Sequence, residues 1–279
     1  VIEPARVGLI ARAEELWRYR RILWFFASRR INERYEDATL GRFWMFAQPL
    51  APILIPTLIF GSMLQVPSEG VPYFLFFLTG MSCWRIFERG VLRVTRSLEQ
   101  NRGLIKKVYF PRLIAPISSV APALTEFGVF FALLVATCIY YFLKDGIFYL
   151  RLGPQLLVGV LAVAMAAFLS IWVGLWTSVM QVRHKDVQYS IRYFMQLWHY
   201  LTPVIFPLSE LLKVLPPQLH FLAYLNPMSP VVEMYKWGVL GIGHVSVSGV
   251  LTGALMSLAI FGTGVVYFNR SEAASVDKL

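Results

Sequence analysis

The fold class is decided by residues 152–181, which read LGPQLLVGVLAVAMAAFLSIWVGLWTSVMQ and contain no charged side chain. A helix needs about 20 consecutive apolar residues to cross the hydrocarbon core of a bilayer. Two more uncharged stretches of sufficient length cover residues 43–68 and 237–269. Three such stretches in one chain predict a helical membrane protein that crosses the bilayer several times.

The composition of the 279 residues excludes an ordinary water-soluble fold. Hydrophobic residues make up 57% of the chain and charged residues 15%, and the mean hydropathy is +0.59. Soluble domains instead average about 45–50% apolar and about 25% charged residues. We therefore predict an all-α integral membrane protein.

Hydrophobic segments predict six transmembrane helices, at residues 43–65, 71–95, 113–143, 155–182, 189–207 and 248–268. Pro203 and Pro207 interrupt the fifth segment, because a proline has no amide hydrogen to donate within a helix. In a membrane, the carbonyl groups freed by such a break need protein or water as a partner. The second, third and fourth segments exceed the bilayer core, so we expect them to tilt or to project into the cytoplasm.

Lysine and arginine are unevenly divided among the segments that join these spans. If the N-terminus is cytoplasmic, the cytoplasmic segments contain 22 of the 26 basic residues, as the positive-inside rule requires. We therefore expect both termini in the cytoplasm. The net charge of +10 then reflects topology, and a nucleic-acid partner is not expected. No removable signal peptide is expected at the N-terminus, so the spans themselves must direct insertion.

This layout divides the chain into a cytoplasmic extension at 1–42, a six-helix transmembrane domain at 43–270 and a cytoplasmic tail at 271–279. Apolar residues recur near helical spacing among the arginines of the extension: Leu9, Ala13, Leu16, Trp17, Leu23 and Trp24. This pattern is typical of an amphipathic helix that lies in the membrane interface and contacts lipids. The alternative is a helix packed on a partner protein.

Few residues are candidates for catalysis or metal binding. Glu126 is the clear acidic residue within the predicted spans, where a carboxylate indicates either an ion pair with arginine or a catalytic group. The four histidines lack the i, i+4 spacing of a metal site, and Cys83 and Cys138 form no CxxC motif, so no metal ion is expected. The sequence also lacks GxxxxGK[ST], the loop that holds nucleotide phosphates.

Three polar segments occur in an order that resembles a known family. They are residues 34–41 (RYEDATLG) followed by Trp44 and Gln48-Pro49-Leu50, residues 101–112 (NRGLIKKVYFPR) and residues 226–233 (NPMSPVVE). With the six-span layout and the missing nucleotide loop, residues 30–270 resemble the permease subunit of polysaccharide ABC exporters. This is the O-antigen, capsule and teichoic-acid branch of the type-2 exporters.

The resemblance implies a homodimer of permeases, each docked to a separate ATPase subunit that binds ATP and magnesium. This chain would then be a transporter subunit and not an enzyme, with no cofactor of its own. The substrate would be a polyprenyl-pyrophosphate-linked polysaccharide that crosses the bacterial inner membrane. O-antigen is favoured over capsule or teichoic acid because residues 106–112 look nearest that branch.

The family places its coupling helix, which contacts the ATPase, between the second and third spans. Here it corresponds to residues 99–109, where basic side chains suit an acidic partner surface. The alternative is a basic loop that only fixes topology. The candidate contacts are Glu99, Asn101, Arg102, Gly103, Leu104, Lys106, Lys107 and Tyr109.

The family also has short re-entrant helices between the fifth and sixth spans. Residues 209–243 match this position, because they are apolar but interrupted by prolines. We expect short helices at residues 211–215, 217–224 and 230–240, and the alternative is a simple extracellular loop. The candidate residues of an exit gate are Pro217, Asn226, Pro227 and Pro230.

Aromatic residues make up 15% of the chain. Sugar rings stack on aromatic faces, so aromatic walls would let a polymer slide through a channel. Interfacial belts and ordinary packing are the alternatives for each ring. The candidate channel aromatics are Tyr73, Phe74, Phe76, Phe77, Phe130, Tyr193, Trp198 and Tyr200.

Four arginines share one face of the second predicted helix, because their spacings are 4, 4 and 3 residues. Arginine makes planar, bidentate contacts to phosphate, so we expect this stripe to attract the pyrophosphate headgroup to a lateral entrance. Binding to lipid headgroups, or pairing with Glu88 and Glu99, is the alternative. The candidate entrance residues are Arg42, Arg85, Arg89, Arg93 and Arg96.

Two other functions are open to the sequence. The first is a drug or small-lipid exporter permease of the same family. The second is a membrane-embedded acyl- or glycosyltransferase, for which Glu126 would be the catalytic candidate.

Overall fold

The computed structural model describes residues 9–32, 43–107, 111–243 and 245–276, and within these ranges the chain forms helices and no strand. The helices in chain order are α1 Leu9–Arg18, α2 Arg20–Asn32, α3 Phe43–Pro56, α4 Tyr73–Gln100, α5 Arg102–Lys107, α6 Ile114–Ser118, α7 Ala121–Asp145, α8 Leu156–Arg183, α9 Val187–Tyr200, α10 Leu208–Val214, α11 His220–Leu225, α12 Met228–Leu240 and α13 Val247–Val276. A π-helical segment, Thr57–Met63, extends α3, and a 3-10 turn, Pro217–Leu219, precedes α11.

Within the described residues, three helical stretches are long and apolar enough to cross a membrane: Ile114–Asp145, Leu156–Arg183 and Val247–Gly264. A shorter apolar helical stretch covers Ala47–Met63. These stretches correspond to the third, fourth, sixth and first predicted spans. The structure therefore confirms an all-helical integral membrane protein.

The centre of the fold is the contact between α4 and α8, which also pack on α7, α12 and α13. Small residues let the backbones approach closely, as is common between membrane helices. Gly90 of α4 lies against Ser170 of α8, and Gly174 of α8 lies against Val94 of α4. A Cβ atom at either glycine would overlap the neighbouring side chain, so these positions fix how the two helices cross.

The predicted boundaries change at two places. The third predicted span, 113–143, is divided into α6 and α7 by a turn at residues 119–120. The fifth predicted span, 189–207, is wrong at its end, because α9 stops at Tyr200. Pro203 cannot donate the hydrogen bond that would continue the helix, so residues 201–207 form turns instead.

Two hydrogen bonds join the ends of α2, α4 and α8, which carry basic residues, at one end of the helix bundle. Arg30 of α2 donates to Gln100 of α4 at 3.4 Å, and Gln181 of α8 donates to Glu99 of α4 at 3.1 Å. The last turns of α2, α4 and α8 therefore lie side by side. We call this the basic end of the bundle.

The N-terminal helices pack beside this basic end. Phe26 of α2 and Ile114 of α6 form a small buried cluster, which Leu104 of α5 also contacts. Trp17 and Trp24 are exposed. This arrangement attaches the N-terminal extension to the bundle while two indole rings remain exposed.

Short helices fill the segment between α9 and α13, close to where the sequence predicts them. The predicted helices at 211–215, 217–224 and 230–240 correspond to α10, the 3-10 turn with α11, and α12. α12 is almost entirely buried and packs on α8, α4 and α13. The segment is therefore helical and is not a simple loop, and α12 is the part of it that belongs to the packed core.

Candidate functional site

The arginine stripe consists of Arg85, Arg89, Arg93 and Arg96. It lies along the half of α4 that leads to the basic end, and its four side chains are partly exposed. Arg85 pairs with Glu88 one turn along the same helix, with 3.0 Å between Nη1 and Oε2. Arg96 donates from Nε and Nη2 to the Oε1 atom of Gln188 on α9, at 3.0 and 2.6 Å. The stripe thus contacts a neighbouring helix, and its four arginine side chains are neither fully buried nor fully exposed.

The third contact of the stripe joins it to the acidic residue of the third predicted span. Arg89 Nε lies 3.6 Å from Glu126 Oε1 on α7. The predicted pairing of Glu126 with an arginine is therefore observed, and Glu99 accepts a hydrogen bond from Gln181. Arg42, the fifth candidate of the entrance, lies outside the described residues.

The predicted coupling segment begins as the last turn of α4 and continues as the separate short helix α5. Asn101 is buried at the corner between them and donates from Nδ2 to the Ser97 carbonyl at 2.5 Å. Arg102 and Gly103 are exposed, and Leu104 is partly buried against Phe26. Tyr109 lies outside the described residues, as does the motif at 34–41.

The eight candidate channel aromatics fall into three groups by their exposure. Four rings are buried within the chain, mostly among other aromatic side chains: Tyr73, Phe76, Phe77 and Phe130. Tyr193 and Tyr200 on α9 are 68% and 62% exposed. Trp198 is partly buried against Phe87, and Phe74 lines a cavity of about 370 Å³ between α4 and α7. The exposed face of α9 therefore offers the accessible rings.

Asn226 connects the predicted exit segment to the end of α9. Its Nδ2 donates to the Leu201 carbonyl at 3.2 Å and to Thr202 Oγ1 at 2.9 Å. Its Oδ1 accepts from Trp198 Nε1 at 2.9 Å and from the Met228 amide at 3.0 Å. One side chain thus joins the end of α9 to the start of α12.

The three candidate prolines of the exit segment lie at helix starts. Pro217 begins the 3-10 turn and Pro227 immediately precedes α12. Pro230, in the first turn of α12, packs against Gly253 of α13, where any larger side chain would overlap the ring. Proline suits these positions because the first turn of a helix does not need its amide hydrogens.

A buried charge pair lies beside these residues, and the sequence analysis missed it. Lys236 and Glu233 on α12 have side-chain exposures of 0% and 1%, with 3.4 Å between Lys236 Nζ and Glu233 Oε1. Lys236 Nζ also donates to the Pro203 carbonyl at 2.6 Å. An available signal was the i, i+3 spacing of opposite charges in an otherwise apolar stretch, which indicates a pair sharing one helix face.

Comparison with known protein families gives a match over most of the chain. Residues 22–240 match the family described as ABC-2 type transporter. The matched range begins in α2 and ends with α12, so it includes the stripe, the coupling segment and the exit segment.

Several curated proteins are similar over most of their length. The O-antigen export system permease protein RfbA of Myxococcus xanthus is 25% identical, over 82% of this chain and 84% of that protein. The protein of the same name from Klebsiella pneumoniae is 22% identical, over 86% and 88%. The polysialic acid transport protein KpsM of Escherichia coli is 26% identical, over 88% and 92%.

Proposed function

This chain belongs to the ABC-2 type transporter family, and from that premise we propose that it is the permease subunit of a polysaccharide exporter in the bacterial inner membrane. The observation that carries the proposal is the agreement among relatives that match over four-fifths or more of the chain. Their names refer to export or transport of O-antigen and polysialic acid. O-antigen is the favoured substrate, because two of these three relatives are named O-antigen export system permeases.

The fold suits a six-span permease whose two termini are cytoplasmic. α3 with its π-helical extension, α4, α6 with α7, α8, α9 and α13 would be the six spans. α9 is short for a span, and residues 201–207 would complete its path. The basic end would face the cytoplasm, because cytoplasmic segments of membrane proteins are enriched in lysine and arginine. α10 to α12 would then be the re-entrant helices on the outer side.

ATP hydrolysis would occur in a separate subunit that docks at the basic end. The exposed Arg102 and Gly103 of α5, beside the exposed Glu99, form the candidate docking surface. Leu104 of α5 packs against the cluster that Phe26 of α2 and Ile114 of α6 form. A displacement of α5 by the ATPase subunit would therefore be transmitted to the N-terminal helices and to α4.

Recognition of the lipid anchor would use the arginine stripe. Its side chains are partly exposed, and three of them, Arg85, Arg89 and Arg96, are oriented by Glu88, Glu126 and Gln188. A pyrophosphate group carries several oxygens that accept charge-assisted hydrogen bonds from such a row. The substrate would thus be a polysaccharide linked to a polyprenyl pyrophosphate.

The polymer itself would pass along the exposed rings of α9. Tyr193 and Tyr200 present faces on which sugar rings can stack. A second copy of this chain would close the channel from the other side, which makes the functional unit a homodimer. The buried rings of α4 would support the channel wall by packing.

Export from cells tests the proposal directly. Deletion of the gene in its own host should abolish surface polysaccharide while lipid-linked polymer accumulates in the inner membrane. Restoration by this chain in the deletion strain, but not in a strain that also lacks the ATPase, would support the proposal. Normal surface polysaccharide in the deletion strain, with loss of resistance to small lipophilic drugs, would instead support a drug exporter.

A further inference from the structure

The strongest unexplained feature of the molecule is the set of side chains that hold residues 201–207. Three side chains from elsewhere in the fold contact this turn: Asn226 between α11 and α12, Lys236 of α12 and Tyr73 of α4. Asn226 contacts Leu201 and Thr202, Lys236 donates to the Pro203 carbonyl, and Tyr73 Oη donates to the Ile205 carbonyl at 2.7 Å. We call these three contacts the clasp.

The need for the clasp follows from the spacing of two prolines. In a continuous helix the carbonyl of Pro203 would accept a hydrogen bond from residue 207. Residue 207 is a proline without an amide hydrogen, so this buried carbonyl would have no helical partner. In a membrane protein such a carbonyl must find another donor, and Lys236 supplies it.

Burying the ammonium group of Lys236 to donate this hydrogen bond costs free energy. Its ammonium group is fully buried, lies 3.8 Å from the centre of the Phe76 ring and reaches Glu233 at 3.4 Å. Replacing a buried ion pair by apolar residues is often neutral or stabilising for a fold. The pair is therefore poorly explained by stability alone.

A charged contact differs from an apolar contact in how it responds to water. While the site is dry, the ammonium group holds the carbonyl through a strong charge-assisted hydrogen bond. When water enters, both charges and the carbonyl can be solvated, so the contact can open. Such a contact suits a junction with two discrete arrangements.

The clasp lies at a junction where a contact that opens on hydration could act in export. Residues 201–207 are the link between α9, which carries the exposed tyrosines, and the short helices α10 to α12. Gly80 of α4 lets the Lys236 stem and the Val204 backbone approach within 3.2 and 3.3 Å of the Cβ position that it lacks. The clasp thus ties the exit segment both to α9 and to α4.

We propose that Lys236 is the positioning residue of the exit, holding residues 201–207 closed through Pro203, and that this bond opens during each export cycle. Glu233 keeps the ammonium group charged and directed. Asn226 and Tyr73 hold the two flanks of the same turn. The use of the clasp in export rests on the proposed function, whereas the clasp itself does not.

The test measures access to the turn with a maleimide reagent in the permease–ATPase complex in lipid nanodiscs. Val204 is fully buried beside Pro203, so a Val204→Cys reporter is introduced after Cys83 and Cys138 are replaced by alanine. Lys236→Met removes the ammonium group and keeps a long side chain. Lys213→Met is the matched control, because Lys213 is an exposed lysine in the same segment.

We expect the reporter to react at least about tenfold faster with Lys236→Met, because a hydrogen bond to a charged group is lost. Lys213→Met should leave the rate unchanged. Equal rates in the Lys236→Met and Lys213→Met proteins would overturn the proposal. If Lys236→Met does not yield folded protein, Tyr73→Phe removes one clasp hydroxyl with little change of volume. It should also accelerate the reaction, and an unchanged rate there would overturn the proposal equally.

A second comparison tests the use of the clasp. With Lys236 intact and the complex reconstituted into proteoliposomes, where it can export polysaccharide, adding MgATP should accelerate labelling of the reporter. An unchanged rate with MgATP would overturn opening during the cycle. A complex that exports no polysaccharide would contradict the proposed function, yet the comparison of Lys236→Met with Lys213→Met needs no substrate and would still decide the clasp.

Discussion

Arg89 and Glu126 join α4 to α7 through an ion pair whose nearest atoms are 3.6 Å apart. The side chain of Glu126 is 12% exposed and that of Arg89 is 40% exposed. The pair therefore has a shielded carboxylate and a partly accessible arginine side chain. This geometry assigns the carboxylate to holding the arginine, and it leaves part of the arginine available for an anionic ligand.

Glu126→Gln should leave export largely intact, because glutamine can still accept a hydrogen bond from Arg89. Partly exposed ion pairs contribute about 1 kcal/mol or less to the free energy of unfolding. A small fall in the melting temperature of the purified complex is expected. Glu210→Gln, in the exposed pair with Lys213, is the control. Complete loss of product with a normally folded complex would instead favour a catalytic carboxylate.

Arg89→Ala combined with Arg93→Ala should weaken binding of the lipid pyrophosphate. Each cation near a membrane surface contributes about 1 kcal/mol, so the double change should lower affinity by about thirtyfold. Substrate-stimulated ATPase activity and polymer export should both fall. The measurement is the dependence of ATPase rate on lipid-linked oligosaccharide concentration.

The control for that experiment removes two cations elsewhere. Lys144→Ala with Lys213→Ala changes the net charge equally, at exposed positions away from the stripe. It should leave the substrate dependence unchanged. Unchanged export in the Arg89 and Arg93 double variant, in a correctly inserted complex, would mean that the stripe does not bind the headgroup.

Gly174→Ala should destabilise the bundle, because the added methyl group would overlap Val94 on α4. Overpacking of this kind costs about 1–3 kcal/mol in the free energy of unfolding. Thermal unfolding of the purified protein measures the change. Gly262→Ala is the matched control on α13, since nothing lies within 4 Å of the position that its Cβ would occupy. Equal melting temperatures would show that α4 and α8 tolerate a wider separation.

Tyr193→Ala combined with Tyr200→Ala should slow polymer export while leaving the melting temperature nearly unchanged. Both rings are largely exposed and add little packing. Export should slow because the sugar rings lose two faces on which they can stack. The measurement is the amount of surface polysaccharide per permease molecule. Tyr140→Ala on α7 removes a ring of similar exposure and serves as the control. A matching decline in the control would assign the effect to the membrane interface and not to the polymer.

The sequence by itself determined the membrane class, because uncharged stretches such as 152–181 can be stable only where water is absent. The resemblance to the exporter family, together with the prolines of this segment, also placed the short helices near residues 208–240. The pairing of Glu126 with an arginine could be anticipated, because a carboxylate within a span needs a partner. These conclusions depend on composition and spacing along a single segment.

Only the tertiary structure decided which arginine faces Glu126, which aromatic rings are accessible and what holds the break after α9. The rings of Phe76 and Tyr193 have similar chemistry in the sequence, yet one is buried and the other is exposed. Pro203 and Lys236 are 33 residues apart and belong to different elements. Their contact depends on how α9, α12 and α4 pack, and no periodicity within one helix contains that information.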